Sequence, residues 1–320
     1  MNTHFLRTAL YACGLVVAGL PASAGPFQRS DVAAEPTWVV HVDCDGLRTT
    51  PIGQYFLAER DKPEAQSKLA PLQTMFGFDP RKQLHGVTLY STGKVPEEGV
   101  LMVYGEFDAD RLISMVSGAQ DYQTTPYKKH VIHHWVDDKK KPVNGVQPRV
   151  YGAIQGSRIV LIAQQEARLT QALDVLDRAA PSLATSGVFP QLGATGSTNI
   201  IEAAARKLEL GDSTPNAAIL RLAKGGQLQV GVAEGQVRAK LNLEASDPDV
   251  AQQMATVGQG LVALLKLQRS NAALLQLAEA ISLKREGASL VATLSMPTGE
   301  VVDLMKAEEA RKAKKAAEKE

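Results

Sequence analysis

One order of elements, a hairpin followed by a capped helix, occurs twice in this chain and limits the folds open to it. Residues 84–116 contain two apolar, β-rich runs around the turn segment GKVPEEG, after which Asp108 or Asp110 caps a helix. Residues 227–265 repeat that order. Two such copies predict an α+β protein of two similar halves, in which helices pack on antiparallel sheet as a βαββαββα-like internal duplication.

The second strand of each hairpin predicts which copy is more deeply buried. Residues 237–244 alternate between apolar and polar side chains, which is typical of an antiparallel strand with one packed and one solvated face. Residues 100–107 are apolar on both faces instead. We therefore expect the first copy to lie deeper, under helices within residues 50–76, with Met102 far less exposed than Lys240.

The rest of the chain divides by the same criteria into strands, helices and linkers. Further strands are predicted at residues 38–43, 129–136, 149–155, 158–163, 199–204, 281–285 and 288–296. Further helices are predicted from Pro51 and at residues 65–76, 165–177, 216–222, 272–280 and 298–305. The expected organisation is a loose leader at 25–36, a first half at 37–184, a second half at 185–305 and a charged helical or disordered tail at 306–320.

Residues 1–24 have the three regions of a secretory signal peptide. Arg7 gives a cationic start, residues 9–20 form a short apolar run, and the segment ASA that follows fits the small-x-small cleavage pattern. The run is shorter than the roughly 20 residues that span a bilayer, so we expect no transmembrane anchor. The sequence predicts a periplasmic or secreted protein that is cleaved after Ala24. The alternative is a lipoprotein modified at Cys13.

Charge and composition narrow the classes of partner. The chain has 35 Lys and Arg against 34 Asp and Glu, and removal of the signal with Arg7 makes the two numbers equal. A net charge near zero gives no reason to expect nucleic acid or an anionic membrane surface as partner. Aromatic residues make up 5% of the chain, which favours aliphatic cores over ligand-stacking surfaces. Cys44 is expected to be a buried small residue and not a reactive thiol.

Four segments resemble a scattered set of exported bacterial proteins of unknown function. They are VDCDGL at the end of a strand, TTPIGQYFL at the start of a helix, FGFDPRKQLHGVTLYS, and VYGEFDADRL. The resemblance covers most of residues 38–176 and, more weakly, residues 217–305. It implies a duplicated α+β fold and export, and it brings no catalytic residue and no cofactor.

The sequence Asp43-Cys44-Asp45-Gly46 at the end of an apolar strand resembles motif I of the haloacid dehalogenase superfamily of phosphatases. That resemblance implies Asp43 as the nucleophile that attacks phosphorus and Asp45 as the acid/base, with both carboxylates near Mg²⁺. The residues that follow depart from the usual Thr-Leu of that motif. The structural alternative is a turn at Asp45-Gly46 that is capped by Asp43.

His130, His133 and His134 form a cluster of histidines in a predicted strand. Because side chains alternate along a strand, His130 and His134 share one face while His133 points to the other. Two imidazoles on one face bind a metal only with a third ligand from a neighbouring strand. The alternative is a polar edge strand protected by charged neighbours such as the segment DDKKK.

The usual motifs of exported hydrolases and proteases, Gly-x-Ser-x-Gly and His-Glu-x-x-His, do not occur in the sequence. We therefore predict a non-catalytic binding or interaction protein without a cofactor. It would present its sheet faces, or the groove between its halves, to an unknown ligand or an envelope protein partner. The alternatives are an exported hydrolase acting through Asp43 and Asp45, and a metal-binding protein using His130 and His134.

Overall fold

The computed structural model describes residues 25–60, 77–194, 198–206, 222–267 and 272–317. The strands in these ranges are β1 Trp38–Asp43, β2 Leu84–Ser91, β3 Gly99–Gly105, β4 Gln123–Tyr127, β5 His130–Val136, β6 Arg149–Gln155, β7 Ile159–Ala163, β8 Asn199–Ala205, β9 Gly225–Ala233, β10 Gln236–Glu244, β11 Ile281–Glu286 and β12 Ser289–Pro297. The α-helices are α1 Cys44–Arg48, α2 Pro51–Arg60, α3 Pro80–Gln83, α4 Ala109–Val116, α5 Glu166–Leu176, α6 Pro248–Leu267, α7 Ala272–Ala280 and α8 Thr298–Ala317.

These strands join in a single antiparallel sheet with the order β11-β12-β10-β9-β8-β1-β2-β3-β7-β6-β5-β4. The α+β class and the antiparallel sheet predicted from the sequence are confirmed. At the centre, β1 pairs with β8, so that His41 lies opposite Glu202. The strands of the first half lie on one side of this pair and those of the second half on the other. The two halves therefore share one sheet.

Strand order is the same on both sides of the central pair. Moving outward, the first half runs β1-β2-β3-β7-β6, and the second half runs β8-β9-β10-β12-β11. The first half then adds the hairpin β5-β4 at its edge. Corresponding strands thus follow one another in the same chain order. Internal duplication of the sequence itself stays a prediction.

One face of the first half is closed by α5. Leu169 and Leu173 of this helix are fully buried in the cluster that also contains Met102 of β3. Met102 is 0% exposed while Lys240 of β10 is exposed, as expected from the two hairpins. The cover differs from the expectation, because α5 packs on β3 at this face. Residues 61–76 of the predicted cover lie outside the described residues.

The N-terminal segment 25–36 packs on the same face. Phe27 and Val32 are buried in the first-half core. The Arg29 guanidinium donates to backbone carbonyls of the loop after α5, including that of Leu183 at 2.9 Å. The expectation of a loose leader is therefore wrong, because apolar side chains and an arginine clamp bind this segment to the sheet.

The second half has a smaller core under α6. Ala251 and Met254 of this helix are fully buried in a cluster with Leu243 of β10 and Leu290 of β12. The alternation predicted for β10 fits this arrangement, since Leu243 is buried while Lys240 is exposed. One side of the strand therefore packs under a helix and the other faces solvent.

The C-terminal helix α8 continues from Thr298 to Ala317, through most of the segment expected to be a charged helical or disordered tail. It contacts α2 of the first half. The Tyr55 hydroxyl donates to the Glu309 carboxylate at 2.6 Å, and the Lys306 ammonium lies 5.9 Å from the centre of the Tyr55 ring. The Glu309 carboxylate raises the pKa of Tyr55 to about 12. Helix α8 thus packs against α2 of the first half.

Three of the described strands and α-helices, β4, α1 and α3, were not predicted from the sequence. Strand β4 is polar and contains Pro126, which is typical of an edge strand and gives no apolar alternation. Helix α1 is a short turn of helix that Asp43 caps at the end of β1. The predicted helix at 65–76, most of the predicted helix at 216–222, and the signal segment 1–24 lie outside the described residues.

Candidate functional site

Helix α4 lies over the face of the first-half sheet opposite α5. Its N-terminus is fixed by Asp108, whose carboxylate accepts the backbone N–H of Arg111 at 3.0 Å. Leu112, Ile113 and Val116 recur at helical spacing and point toward the sheet. The cap and the apolar stripe together place this helix above β3, β7, β6 and β5.

Two rows of paired residues cross the sheet beneath α4. In the first row, Val103 pairs with Val160, and Val160 pairs with Ile154. The second row consists of Leu101, Ile162, Gly152 and His133. Because Val103 follows Met102 in the strand, these rows face away from the core under α5. They form an apolar floor for the helix.

A cavity of about 460 Å³, here named the apolar chamber, separates α4 from this floor. Its exposed lining is apolar throughout. Phe78 and Phe107 stack with ring centres 5.1 Å apart and contribute aromatic walls, as does Trp135. A Cβ at Gly152 would lie 3.6 Å from the Trp135 ring, so the ring packs directly over this position of β6. The volume lies within the roughly 300–1,000 Å³ of small-molecule sites.

The two helices of the first half differ in how closely they pack. In α5, Leu169, Ala172, Leu173 and Val175 are buried. In α4, no residue is buried, although its apolar side faces the sheet. Protein interiors are normally packed without voids larger than a water molecule. Among the described residues no side chain fills the space under α4.

Of the described residues that line the chamber, His133 is the titratable one. Its Nδ1 forms a hydrogen bond of 2.7 Å with the Tyr122 hydroxyl, and the two rings stack with centres 6.0 Å apart. Burial lowers the pKa of His133. The imidazole is therefore neutral at pH 7, in keeping with the apolar surface around it.

A second cavity of about 400 Å³, named the polar cleft, adjoins the chamber. The two share Ile113, His133 and Ile154 as lining residues. Lys129 also lines the cleft, and its ammonium pairs with the Asp177 carboxylate at 2.9 Å. A molecule with its apolar part in the chamber can thus extend a polar group into the cleft.

The buried histidines predict a pH dependence of stability. Burial lowers the pKa values of both His41 and His133, whereas the unfolded imidazole titrates near about 6.5. As pH falls below about 6.5, the unfolded state takes up protons first, so the free energy of unfolding should decrease. Urea unfolding at pH 7.5 and pH 5 measures this loss. His133→Gln should reduce the loss, and an equal loss in both proteins would contradict the assignment.

Asp43 and Asp45, the candidate catalytic pair, lie close together in different settings. Asp43 is 7% exposed and accepts the backbone N–H of Gly46 at 2.8 Å, which makes it the cap of α1. Burial raises the pKa of Asp43. Asp45 is ion-paired with Arg48, and one of its carboxylate oxygens lies 3.1 Å from His85 Nδ1. The capped turn considered as the alternative to the phosphatase motif is the geometry present.

The surroundings of this pair differ from those of a phosphatase motif I. There the aspartate follows a strand of a parallel βαβ series, whereas β1 has antiparallel neighbours on both sides. Cys44 between the two aspartates is half-buried, and burial raises the pKa of its thiol. A raised thiol pKa disfavours the reactive thiolate.

The candidate metal ligands have protein partners. His130 Nε2 lies 2.9 Å from the Asp177 carboxylate. His134 lies between the Thr125 hydroxyl at 3.2 Å and the Arg149 guanidinium at 2.9 Å. Nowhere in the described ranges do three or more His, Cys, Asp or Glu side chains group as a metal ion would need. The strand does place His133 on the opposite face, and that residue reaches the chamber.

Sequence reasoning did not find the chamber. Its lining comes from four strands, the helices α3 and α4, and the loop residues Phe78 and Phe107, and each of these residues reads as ordinary core in the sequence. The one available signal was that residues 100–107 are apolar on both faces. That pattern requires apolar cover on each side of β3, and it does not distinguish a packed side from a hollow one.

No protein-family model matches the chain, and no curated protein matches it significantly. Solved structures of TP0453, a bacterial protein, are similar to it. Crystal form III has a TM-score of 0.49 at 7% sequence identity, with 88% of this chain and 98% of that chain covered. Crystal form I has a TM-score of 0.44 at 8% identity, with 89% and 98% covered. A likeness at this level says nothing about ligand, activity or partner.

Among the described helices, none combines the length and the apolar character needed to cross a membrane.

Proposed function

We propose that the protein is exported and that it binds, without catalysis, the apolar part of a small amphipathic molecule in the chamber. The observation that carries the proposal is the unburied apolar side of α4 above an apolar floor, with about 460 Å³ between them. Moving apolar surface from water into such a space is favourable by about 25 cal/mol per Å².

The polar cleft is the reason to propose an amphipathic ligand instead of a pure hydrocarbon. It continues from the chamber past His133 and is lined by Lys129, whose ammonium pairs with the Asp177 carboxylate. A carboxyl, phosphate or hydroxyl head group in the cleft would keep contact with polar groups and with water. Sites of this kind use a few polar groups to orient a mainly apolar ligand.

The chamber supports binding over catalysis because of the residues that line it. Of the described lining residues, His133 alone has a titratable side chain, and its Nδ1 is occupied by Tyr122. Asp43 and Asp45 do not line the chamber. Asp43 lies on the opposite face of the sheet. It follows His41 by two residues and so shares its side of β1, and His41 bonds Thr88, which pairs with the buried Met102.

The test is a titration of the purified protein, residues 25–320, with the fluorescent fatty acid cis-parinarate. We expect saturable binding at about one molecule per chain and displacement by palmitate, because the chamber accepts one apolar chain. Butyrate at the same concentration should displace little, since it buries less apolar surface. Fluorescence that rises without saturation, or equal displacement by both acids, would count against the proposal.

A further inference from the structure

Gly25, the residue after the predicted cleavage site, is held among charged side chains of β1 and α1. It is buried, and its carbonyl accepts a hydrogen bond from His41 Nε2 at 2.9 Å. The position that a Cβ would take lies 2.8 Å from Asp43 Oδ1 and 3.1 Å from Asp45 Oδ2. The backbone nitrogen is about 2.5 Å from that position, so it lies within about 6 Å of both carboxylates.

The chain just after Gly25 is anchored and fixes this position. Phe27 is 7% exposed, and its ring centre lies 5.4 Å from that of His41. Two residues further on, the Arg29 guanidinium donates to the carbonyls of Val188 at 3.0 Å and Leu192 at 3.1 Å. These contacts hold the start of the segment against the two aspartates.

We propose that cleavage after Ala24 creates an N-terminal ammonium on Gly25 that binds between Asp43 and Asp45 and locks the segment onto the sheet. The inference rests on the export part of the proposed function and not on the ligand chamber. A signal peptidase hydrolyses the Ala24–Gly25 peptide bond with one water. The hydroxyl goes to the Ala24 carbonyl carbon and a hydrogen goes to the Gly25 nitrogen, which then takes a proton from solvent.

The charges around Gly25 are suited to a new cation. Asp43 and Asp45 approach Gly25 directly, and His41 bonds its carbonyl. Around these three, Arg48 of α1 and His85 of β2 contact Asp45, and Glu202 of β8 lies opposite His41. Burial raises the pKa of Asp43, so a positive charge placed close to it would favour its ionised form. An ammonium at Gly25 would be such a charge.

The contacts also explain why glycine stands at this position. A Cβ on residue 25 would lie 2.8 Å from a carboxylate oxygen of Asp43 and 3.0 Å from the Cβ of Asp45. Real Cβ atoms do not approach so closely without displacing their neighbours. The new terminus therefore reaches the carboxylates because it carries no side chain.

The experiment compares two proteins that differ by one residue. One begins at Gly25, and the other retains Ala24, which moves the ammonium away from the aspartates. An ammonium within about 4–6 Å of opposite charges should titrate at least about one pH unit above the ordinary range of about 7.7–8.0. Acylation of the terminal amine at pH 7, followed by mass spectrometry, should therefore be at least about tenfold slower in the protein that begins at Gly25.

Asp43→Asn is the matched variant, because asparagine also caps a helix but carries no charge. It should speed acylation of the protein that begins at Gly25 and leave the Ala24-extended protein unchanged. If that variant does not fold, Asp45→Asn serves the same comparison. Equal acylation rates in the two parent proteins would overturn the proposal, as would an exported protein whose sequenced N-terminus is not Gly25. Saturable cis-parinarate binding in either case would leave the ligand proposal standing, so the two failures are distinguishable.

Discussion

Replacing Val160 with Trp is expected to weaken cis-parinarate binding at least about tenfold while the protein stays folded. Val160 is half-buried at the floor of the chamber, in the row between Val103 and Ile154. An indole at this position would occupy space that the ligand needs, and a loss of about 1.4 kcal/mol already corresponds to tenfold. Fluorescence titration measures the affinity, and far-ultraviolet circular dichroism measures folding.

Val257→Trp is the matched control for this substitution. Val257 lies on α6 of the second half, is 39% exposed and does not line the chamber. The same change in side-chain volume there should leave the affinity unaltered. Equal affinities in the Val160→Trp protein and the parent would place the ligand elsewhere.

Replacing Leu173 with Ala is expected to lower the free energy of unfolding by about 2–5 kcal/mol. Leu173 is 0% exposed and lies in the cluster that α5 forms with Met102. Truncation there removes apolar contacts and leaves a cavity in a closed core. Urea unfolding at pH 7.5 measures the change.

Leu264→Ala is the control, because Leu264 on α6 is 59% exposed. Its truncation should change the free energy of unfolding by less than about 0.5 kcal/mol. If both truncations lower the free energy of unfolding by less than about 0.5 kcal/mol, α5 does not close its face of the sheet. The proposed difference between a packed α5 face and a hollow α4 face would then be wrong.

The sequence predicted the class of the fold because local signals and tertiary packing agree over most of the chain. The capped hairpin units give β2-β3-α4 and β9-β10-α6, and the residues expected to alternate in β10 do so. Pairing of β1 with β8 was not predictable, since it joins strands that are more than 150 residues apart and no local pattern marks such a pair.

The N-terminal segment shows where a local signal misled. Residues 25–36 contain two prolines and no periodic apolar pattern, so they read as a loose leader. Their attachment depends on contacts that sequence order does not reveal, such as the Arg29 guanidinium on carbonyls near Leu183 and Leu192. Long-range side-chain contacts of this kind override local composition.

The candidate site was partly within reach of sequence reasoning. Strand alternation correctly placed His133 on one face of β5 and both His130 and His134 on the other. His130 and His134 have their hydrogen-bond partners away from the chamber, which His133 lines. Metal binding was an alternative hypothesis for His130 and His134, and no role was predicted for His133, which the structure places in an apolar setting. Whether a hollow exists under α4 depends on the distance between the helix and the sheet. Apolar residues at helical spacing predict only that this side of the helix faces apolar surface, which can belong to a packed core or to a cavity.

Asp43 and Asp45 also show that a local motif does not reveal its tertiary surroundings. Two carboxylates flanking Cys44 at a strand end matched a catalytic motif, but the match does not include the neighbouring strands. Their proximity to Gly25 could not be read from the sequence, because it requires the N-terminal segment to fold back along β1.

The most direct test of the ligand chamber is nuclear magnetic resonance of the protein with methyl-labelled isoleucine and valine and bound palmitate. We predict nuclear Overhauser effects between the acyl chain and the methyl groups of Val103, Ile113 and Val160, which line the space under α4. Methyl groups of Val257 on α6 should show none. Saturating palmitate that gives no contact with the three chamber residues would contradict the account.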